Sequence, residues 1–255
     1  MAEENKYIII GGVKILITFP NKKWVNYFWR KFKYFETHDK KFELKVILKI
    51  GREKAINYKL KENLIRITIP NSLRFFKRVN FYFKTAFSDY LLITKRGFLV
   101  HSSAFSYASN AYLFTGKQTA GKSTIIQLVK KKKGLKVLND DFSIITKNSG
   151  KYWLHGSPFF ETNPVKTNAQ KFKLRSIFFL NKSDTDKLEE INKKEAVVKF
   201  SSLVLSSISL ENVKSPHKGK YFSLLLAESQ NLVDTIPSFR LYFRKSASFL
   251  KLIVD

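Results

Sequence analysis

Two kinds of hydrophobic repeat alternate along this chain. Residues 7–19 (YIIIGGVKILITF), 42–50 (FELKVILKI) and 64–69 (LIRITI) are rich in β-branched residues and partly alternate apolar with polar positions. Polar turns such as ETHDKK and PNS separate them, so each stretch predicts a β-strand. Between the first two lies NKKWVNYFWRKFKYF, which sets Trp24, Phe28, Phe32 and Phe35 at helical spacing. That stripe predicts an amphipathic helix packed on a sheet. Its interleaved lysines and arginines also match a surface on which bases stack. Residues 72–97 predict a long helix, with Ser72 as N-cap and Gly97 as the residue just past its end.

After Gly97 the pattern changes. GFLVHSSAFSY and NAYLFTG predict two strands joined at ASN as a hairpin. The second strand runs into GKQTAGKST, KSTIIQLVKKKKG predicts a helix closed by Gly134, and LKVLND predicts a short buried strand ending in two aspartates. Further on, KYWLHGSPFF, LRSIFFLNK and SFRLYFRK read as strands. EEINKKEAVVKFSSLVLSSISL, KGKYFSLLLAESQNLV and the C-terminal end read as helices. The expected organisation is an α+β region over 1–95, of unknown role, and an α/β nucleotide-binding region over 96–255, with no internal repeat.

Composition narrows this modestly. The 255 residues suit one large domain or two small ones, and 44% hydrophobic with 15% aromatic content predicts a packed core. The absence of cysteine excludes disulfides and thiolate metal sites. MAEENKYIII is acidic before it turns apolar, the reverse of a signal peptide, and no stretch reaches the ~18 uncharged residues of a membrane span. A cytoplasmic soluble protein is expected. Lysine and arginine number 47 against 20 acidic residues, a formal charge of +27. This points to a polyanionic partner or to a solvated basic surface; the one tight cluster is VKKKKG.

The chemistry concentrates at Gly116, Lys117, Gln118, Thr119, Ala120, Gly121, Lys122, Ser123 and Thr124, which fit G-x-x-x-x-G-K-[ST]. Gly116 and Gly121 let the backbone turn its N–H groups inward, and the following helix aims its positive end at phosphates. Lys122 supplies a charge for the β- and γ-phosphates, and Ser123 a hydroxyl for Mg²⁺. One helix and one strand later come Asp140 and Asp141, a pair suited to dividing metal binding and general-base work. His101 lies one strand before the loop, where it can relay protons near neutral pH or simply be a strand histidine with a satisfied hydrogen bond. His155 reads as the latter.

Histidine strand, hairpin, loop, helix and a strand ending in two aspartates together resemble the HPr kinase/phosphorylase superfamily, in its divergent HPr kinase-like members. The segments that carry the resemblance are LVHSSAF, AYLFTGKQTAGKST, IIQLVKKKKG and LKVLNDDFSII, with HGSPFFE and LRSIFFLNK following. The resemblance implies a P-loop kinase domain with a mixed sheet, related in fold to ATP-type phosphoenolpyruvate carboxykinases. It implies ATP and Mg²⁺ as ligands, His101, Lys122, Asp140 and Asp141 as catalytic residues, and Ser123, Asp140 and Asp141 as metal residues. Thr124 stands where the HPr-modifying enzymes usually carry glutamate, which points away from HPr as acceptor.

The leading expectation is Mg²⁺-dependent phosphoryl transfer from ATP to a hydroxyl on a peptide, a protein or a small metabolite. One alternative is an ATP-dependent nucleic-acid-binding module, or a slow NTPase switch, using the basic surface. Another is a small-metabolite kinase of the shikimate or gluconate type. NKSD at 181–184 has the letters of a guanine reader, so ATP and GTP both stay open.

Overall fold

The computed structural model describes residues 3–52, 55–70, 76–160, 165–206 and 218–254. The chain opens with two strands, β1 (Glu4–Ile10) and β2 (Val13–Phe19), rather than one strand over 7–19. Gly11 and Gly12, at φ 58° and 73°, supply the left-handed pair that a tight hairpin turn needs. Helix α1 (Lys22–Phe32) is capped by the Asn21 side chain, which accepts from the Lys23 amide at 3.1 Å and the Trp24 amide at 3.4 Å. Strands β3 (Leu44–Gly51), β4 (Asn57–Lys61) and β5 (Leu64–Pro70) complete a five-stranded sheet in the order β1-β2-β3-β5-β4. Trp24, Phe28, Phe32 and Phe35 are all buried, with Phe28 and Phe32 stacked at 4.2 Å. The stripe is therefore core; these rings are not on offer to bases.

Helix α2 (Phe76–Ile93) ends before the predicted Gly97, and the expected N-cap Ser72 lies outside the described residues. Its end is set by Lys95, at φ 55°. The Arg96 amide reaches the Leu91 carbonyl at 2.8 Å and the Lys95 amide reaches Leu92 at 2.9 Å, the Schellman pattern. Gly97, expected to be the residue past the helix, instead begins the next strand. A Cβ there would lie 1.9 Å from the Ile145 carbonyl oxygen, so close backbone approach is what requires glycine.

The second sheet comprises β6 (Gly97–Tyr107), β7 (Asn110–Thr115), β8 (Leu135–Asn139), β9 (Phe142–Asn148), β10 (Lys151–His155), β11 (Lys171–Lys182), β12 (Lys187–Glu190) and β13 (Ser238–Phe243). It is mixed: β7, β11 and β13 are parallel, while β6 runs antiparallel to β7. Both β8 and β9 pair antiparallel with β6 along one edge. β10 pairs with both β9 and β11, so the strands β6-β7-β11-β10-β9 close into a ring. Helix α3 (Lys122–Val129) and a final 3-10 turn (Ala247–Leu252) cover one face, over Phe105, Phe114 and Phe178. α3 stops before Gly134 because Val129 is its last buried residue; four exposed lysines follow. Helices α4 (Lys193–Ser206) and α5 (Lys218–Thr235) cover the other face, over Phe98, Ile145 and Ile177.

The two sheets are not independent. Leu99, Phe142, Ile144 and Phe159 join the core of the first sheet, together with Phe83 and Phe87 of α2. A polar tie adds to this: buried Asp89 of α2 accepts from the hydroxyls of Tyr58 (β4) and Tyr221 (α5), the latter at 3.1 Å. The result is a mixed α/β fold with two mixed sheets. Among the described residues, no helix is long and apolar enough to cross a membrane.

Candidate nucleotide and transfer site

The parallel strands β7, β11 and β13 end on one edge, and the loop 116–121 leaves β7 there. β7 is buried along Ala111–Thr115, which fixes the base of the loop. The loop enters α3 through Gly121, at φ 107° and without a side-chain cap, and no acidic residue occupies the first turn of α3. The first amides of that helix are thus available to an anionic ligand. Both glycines are sterically required. A Cβ on Gly116 would lie 2.8 Å from Ala120 Cβ, and one on Gly121 would lie 2.6 Å from the Phe243 ring at the end of β13.

Lys122 is 8% exposed and turns its ammonium back onto the loop, donating to the Gly116 carbonyl at 3.1 Å and the Lys117 carbonyl at 3.3 Å. Burial lowers its pKa, while the charges of Asp140 and then Asp141 pull it upward. An ammonium held on carbonyl oxygens beside two carboxylates is poised to exchange them for phosphate oxygens. Buried Ser103 fastens the start of α3 to β6, its hydroxyl donating to the Lys122 carbonyl at 3.2 Å.

Asp140 and Asp141 fall in a break within one continuous edge. The register pairs His101 with Phe142 and Ala104 with Asn139, which leaves the two aspartates beside Ser102 and Ser103. The Ser102 amide donates to the Asp141 carbonyl at 3.1 Å. Behind it, Ser102 donates to Ser143 and Ser143 to Asn139 Oδ1, both at 2.6 Å, which satisfies the buried hydroxyls around the break. On its other side, Ser102 pairs with Thr115, the last residue before the loop, and the Thr115 hydroxyl donates to the His101 carbonyl at 3.2 Å.

A cavity of about 400 Å³ gathers these parts. Gln118, Thr119, Gly121, Lys122, Ser123 and Thr124 form one wall, and His101, Asp141 and Lys182 face them. The His101 ring packs on Phe142 at 5.2 Å. The two aspartates part company here. Asp141 is half-buried and borders this cavity, whereas Asp140 is 6% exposed and borders another cavity beside Gln127 of α3 and Lys130 just past its end. Lys182 was not singled out as a site residue by sequence reasoning. The available signal was its place in NKSD, at the end of the strand β11 that runs parallel to β7. His155 is buried, with Nε2 2.7 Å from the Thr146 hydroxyl, and lies away from this cavity.

The residues present fit a nucleotide phosphate chain: glycines where a Cβ would collide, uncapped amides, and a buried lysine. They also fit Mg²⁺ in a shared role. The Ser123 hydroxyl and Asp141 border one cavity, and no cluster of three His, Asp or Glu side chains exists among the described residues. A metal here would draw most of its ligands from phosphate oxygens and water.

No curated protein matches this chain. Among solved structures, one similar chain is the HPr(Ser) kinase/phosphatase from Coxiella burnetii, at 10% identity and a TM-score of 0.31, over 61% of this chain and 90% of that one. The family model of the SynChlorMet cassette protein ScmC matches residues 78–254, more than half of the sequence, and the chain belongs to that family.

Proposed function

We propose that this protein transfers the γ-phosphoryl group of ATP to a hydroxyl on a peptide, a protein or a small molecule. The observation that carries this reading is the single cavity bordered by the loop 118–124, His101 and Asp141. A module that only binds nucleotide has no need of a proton acceptor opposite the loop. Attack on phosphorus does need one, because the attacking hydroxyl must lose a proton as its oxygen bonds to phosphorus, and the labelling test below separates an organic hydroxyl from water as that attacker.

The loop amides and Lys122 would hold the phosphates. The Ser123 hydroxyl would hold Mg²⁺ together with phosphate oxygens and water, and the ion would neutralise phosphate charge when bound. Asp141, on the cavity wall, takes the acceptor proton, and His101 beside it stabilises that proton's new position. Asp140 is the larger of the two carboxylate influences that raise the Lys122 pKa against the lowering by burial. The acceptor O–P bond forms as the bridging O–P bond of the nucleotide breaks, leaving ADP.

The test is incubation with γ-labelled ATP and Mg²⁺ in the presence of peptide and metabolite pools, using the native protein and Asp141→Asn. The expected result is label on an acceptor with the native protein and at least a hundredfold less with the variant. Free phosphate accumulating with no acceptor labelled in any pool would overturn the reading.

A further inference from the structure

β8 is an edge strand. It pairs with β6 on one side and, among the described residues, with no second strand on the other. Its outer edge therefore offers backbone N–H and C=O groups to an added strand. A cavity of about 640 Å³ lies along that edge. The placement follows from its lining, because Leu135, Lys136 and Val137 all border it. Successive side chains of a strand point to opposite faces, so a cavity that meets three in a row meets the strand side-on.

The cleft combines apolar surface with positive charge. Ile126 of α3 and Val165, from the segment before β11, add to the apolar surface of Leu135 and Val137. Lys130 and Lys166 supply the charge. Both are exposed, and neither forms a hydrogen bond or ion pair among the described residues. Lys136 is already held by the Gln170 side chain. Lysine on an edge strand guards it against unwanted pairing, and Lys136 fits that role. Lys130 and Lys166 lie off the strand, on the other segments that border the cleft, where they would face a ligand laid along it. The exposed Lys131, Lys132 and Lys133 extend the basic surface past α3.

Asp140 joins this cleft to the phosphate loop. It borders the cleft, its charge acts on Lys122, and the next residue, Asp141, borders the loop cavity together with Lys122. β8 runs toward this pair of aspartates, so a strand laid along it ends beside the transfer site. Its five residues offer roughly 17 Å of edge at ~3.4 Å each, the scale of a peptide segment and not of a metabolite.

We propose that the phosphoryl acceptor is a serine or threonine in an extended acidic peptide segment that adds to the outer edge of β8. The proposal rests on the transfer reading of the adjoining site. Backbone pairing with β8 holds the segment, its apolar side chains meet Leu135, Val137 and Val165, and its carboxylates meet Lys130 and Lys166.

The binding probe is a fluorescein-labelled peptide of alternating glutamate and valine ending in Ser-Gly, followed by anisotropy on the full chain without ATP. Alternate amides of a strand point to opposite edges, so two further peptides are N-methylated at the glutamates or at the valines. One of these should bind about tenfold more weakly and the other near the parent, since only one set of amides bonds to β8. A glutamine-for-glutamate counterpart should bind about tenfold more weakly, and Lys130→Glu and Lys166→Glu should each weaken the glutamate peptide by about tenfold. A retained ATP-induced thermal shift shows that each variant is intact. The two N-methylated peptides binding alike, equal binding of the glutamate and glutamine peptides, or undiminished binding in the folded variants overturns the proposal. So does displacement of the peptide by an equal concentration of oligothymidylate, which would make the cleft a general polyanion surface. In the transfer arm, γ-labelled ATP is offered with the peptide or with free L-serine, and label is expected on the peptide. Label on free serine with none on the peptide overturns the proposal and leaves the transfer reading standing. If the peptide binds in one N-methylation pattern only, yet nothing in any pool is labelled, the transfer reading and the acceptor role fall together, and the cleft remains a peptide site.

Discussion

Asp89 offers a test of how the two sheets are tied. Burial pushes its carboxyl up to about 6, against the two tyrosine hydroxyls that favour the charged form. From its ordinary value of 3.8 this is about two units, or ~3 kcal/mol at 1.36 kcal/mol per unit. An acid with a raised folded pKa binds a proton more tightly in the native state. Its stabilisation is complete below the unfolded value and is lost as pH rises through about 6. His155 has the opposite sign: burial, with the Lys171 charge, lowers it from 6.5 to about 4, so its stabilisation is complete above 6.5 and lost as pH falls. Between pH 4.5 and 6 the two contributions oppose each other, one proton against one. Asp89→Asn keeps an acceptor for one tyrosine and a donor for the other while removing the ionisation. The variant should therefore gain on the native protein by ~1.5 kcal/mol as pH rises from 4.5 to 6, somewhat less than one full proton would give because Asp89 is half-ionised at the upper end. Urea unfolding followed by tryptophan fluorescence at a series of pH values measures this difference directly. A gap between the two proteins that does not change with pH refutes the reasoning, because it would mean that Asp89 is charged throughout.

Lys122→Met should weaken ATP binding by roughly ten- to a hundredfold, the worth of charge-assisted contacts to phosphate, as read from the ATP-induced thermal shift, and should leave the unliganded melting temperature near native. Gly121→Ala forces a side chain into a left-handed conformation and against the Phe243 ring; it should cost about 1–3 kcal/mol in urea unfolding and abolish the nucleotide shift. His101→Ala should lower acceptor labelling about a hundredfold or more with ATP binding retained, and loss of ATP binding in that variant would instead give His101 a structural role. Phe28→Ala, at the centre of the aromatic core, should cost about 3–5 kcal/mol, and a change under 1 kcal/mol would contradict the packing described for α1.

Much of this molecule can be read from its sequence, in the places where one local signal suffices. The Trp24-Phe28-Phe32-Phe35 stripe is such a signal, and so are the loop glycines and the Ser/Asn turn of the β6–β7 hairpin. What could not be read depended on a partner distant in sequence. Gly97 looks like a helix terminator until the Ile145 carbonyl is placed against it. β4, NYKLK, has little apolar content and is a strand because β5 lies beside it. Lys182 enters the cavity only because β11 runs parallel to the loop strand. The separation of Asp140 from Asp141 is invisible in the letters DD, since it follows from how the break between β8 and β9 turns each carboxylate. Gly-Gly at 11–12 is a different case. The turn signal was present in the sequence, and the apolar run on both sides of it outweighed that signal.

The register of β6 explains why the site's parts arrive together. Its pairing with β9 places His101 beside Phe142, and its pairing with β7 places Ser102 beside Thr115. One strand thus holds the aspartate break on one edge and the start of the phosphate loop on the other, with the histidine between. Side chains alternate faces along a strand, so a slip of one residue in either pairing would send His101 to the wrong face and move Asp141 along the loop. Three features oppose such a slip. Gly97 fits only against Ile145, the Ser102–Ser143–Asn139 hydroxyl chain closes only in this register, and Thr115 bonds to the His101 carbonyl. None of these groups needs to touch a substrate. Their arrangement makes the distance from loop to carboxylate a property of backbone pairing, which stays rigid while Lys122 moves from carbonyls to ligand. A variant that loosened the register, such as Ser143→Val, should then impair acceptor labelling while the ATP-induced thermal shift persists, because the loop amides and Lys122 stay in place while Asp141 moves; full labelling in that variant would refute the role given to the pairing.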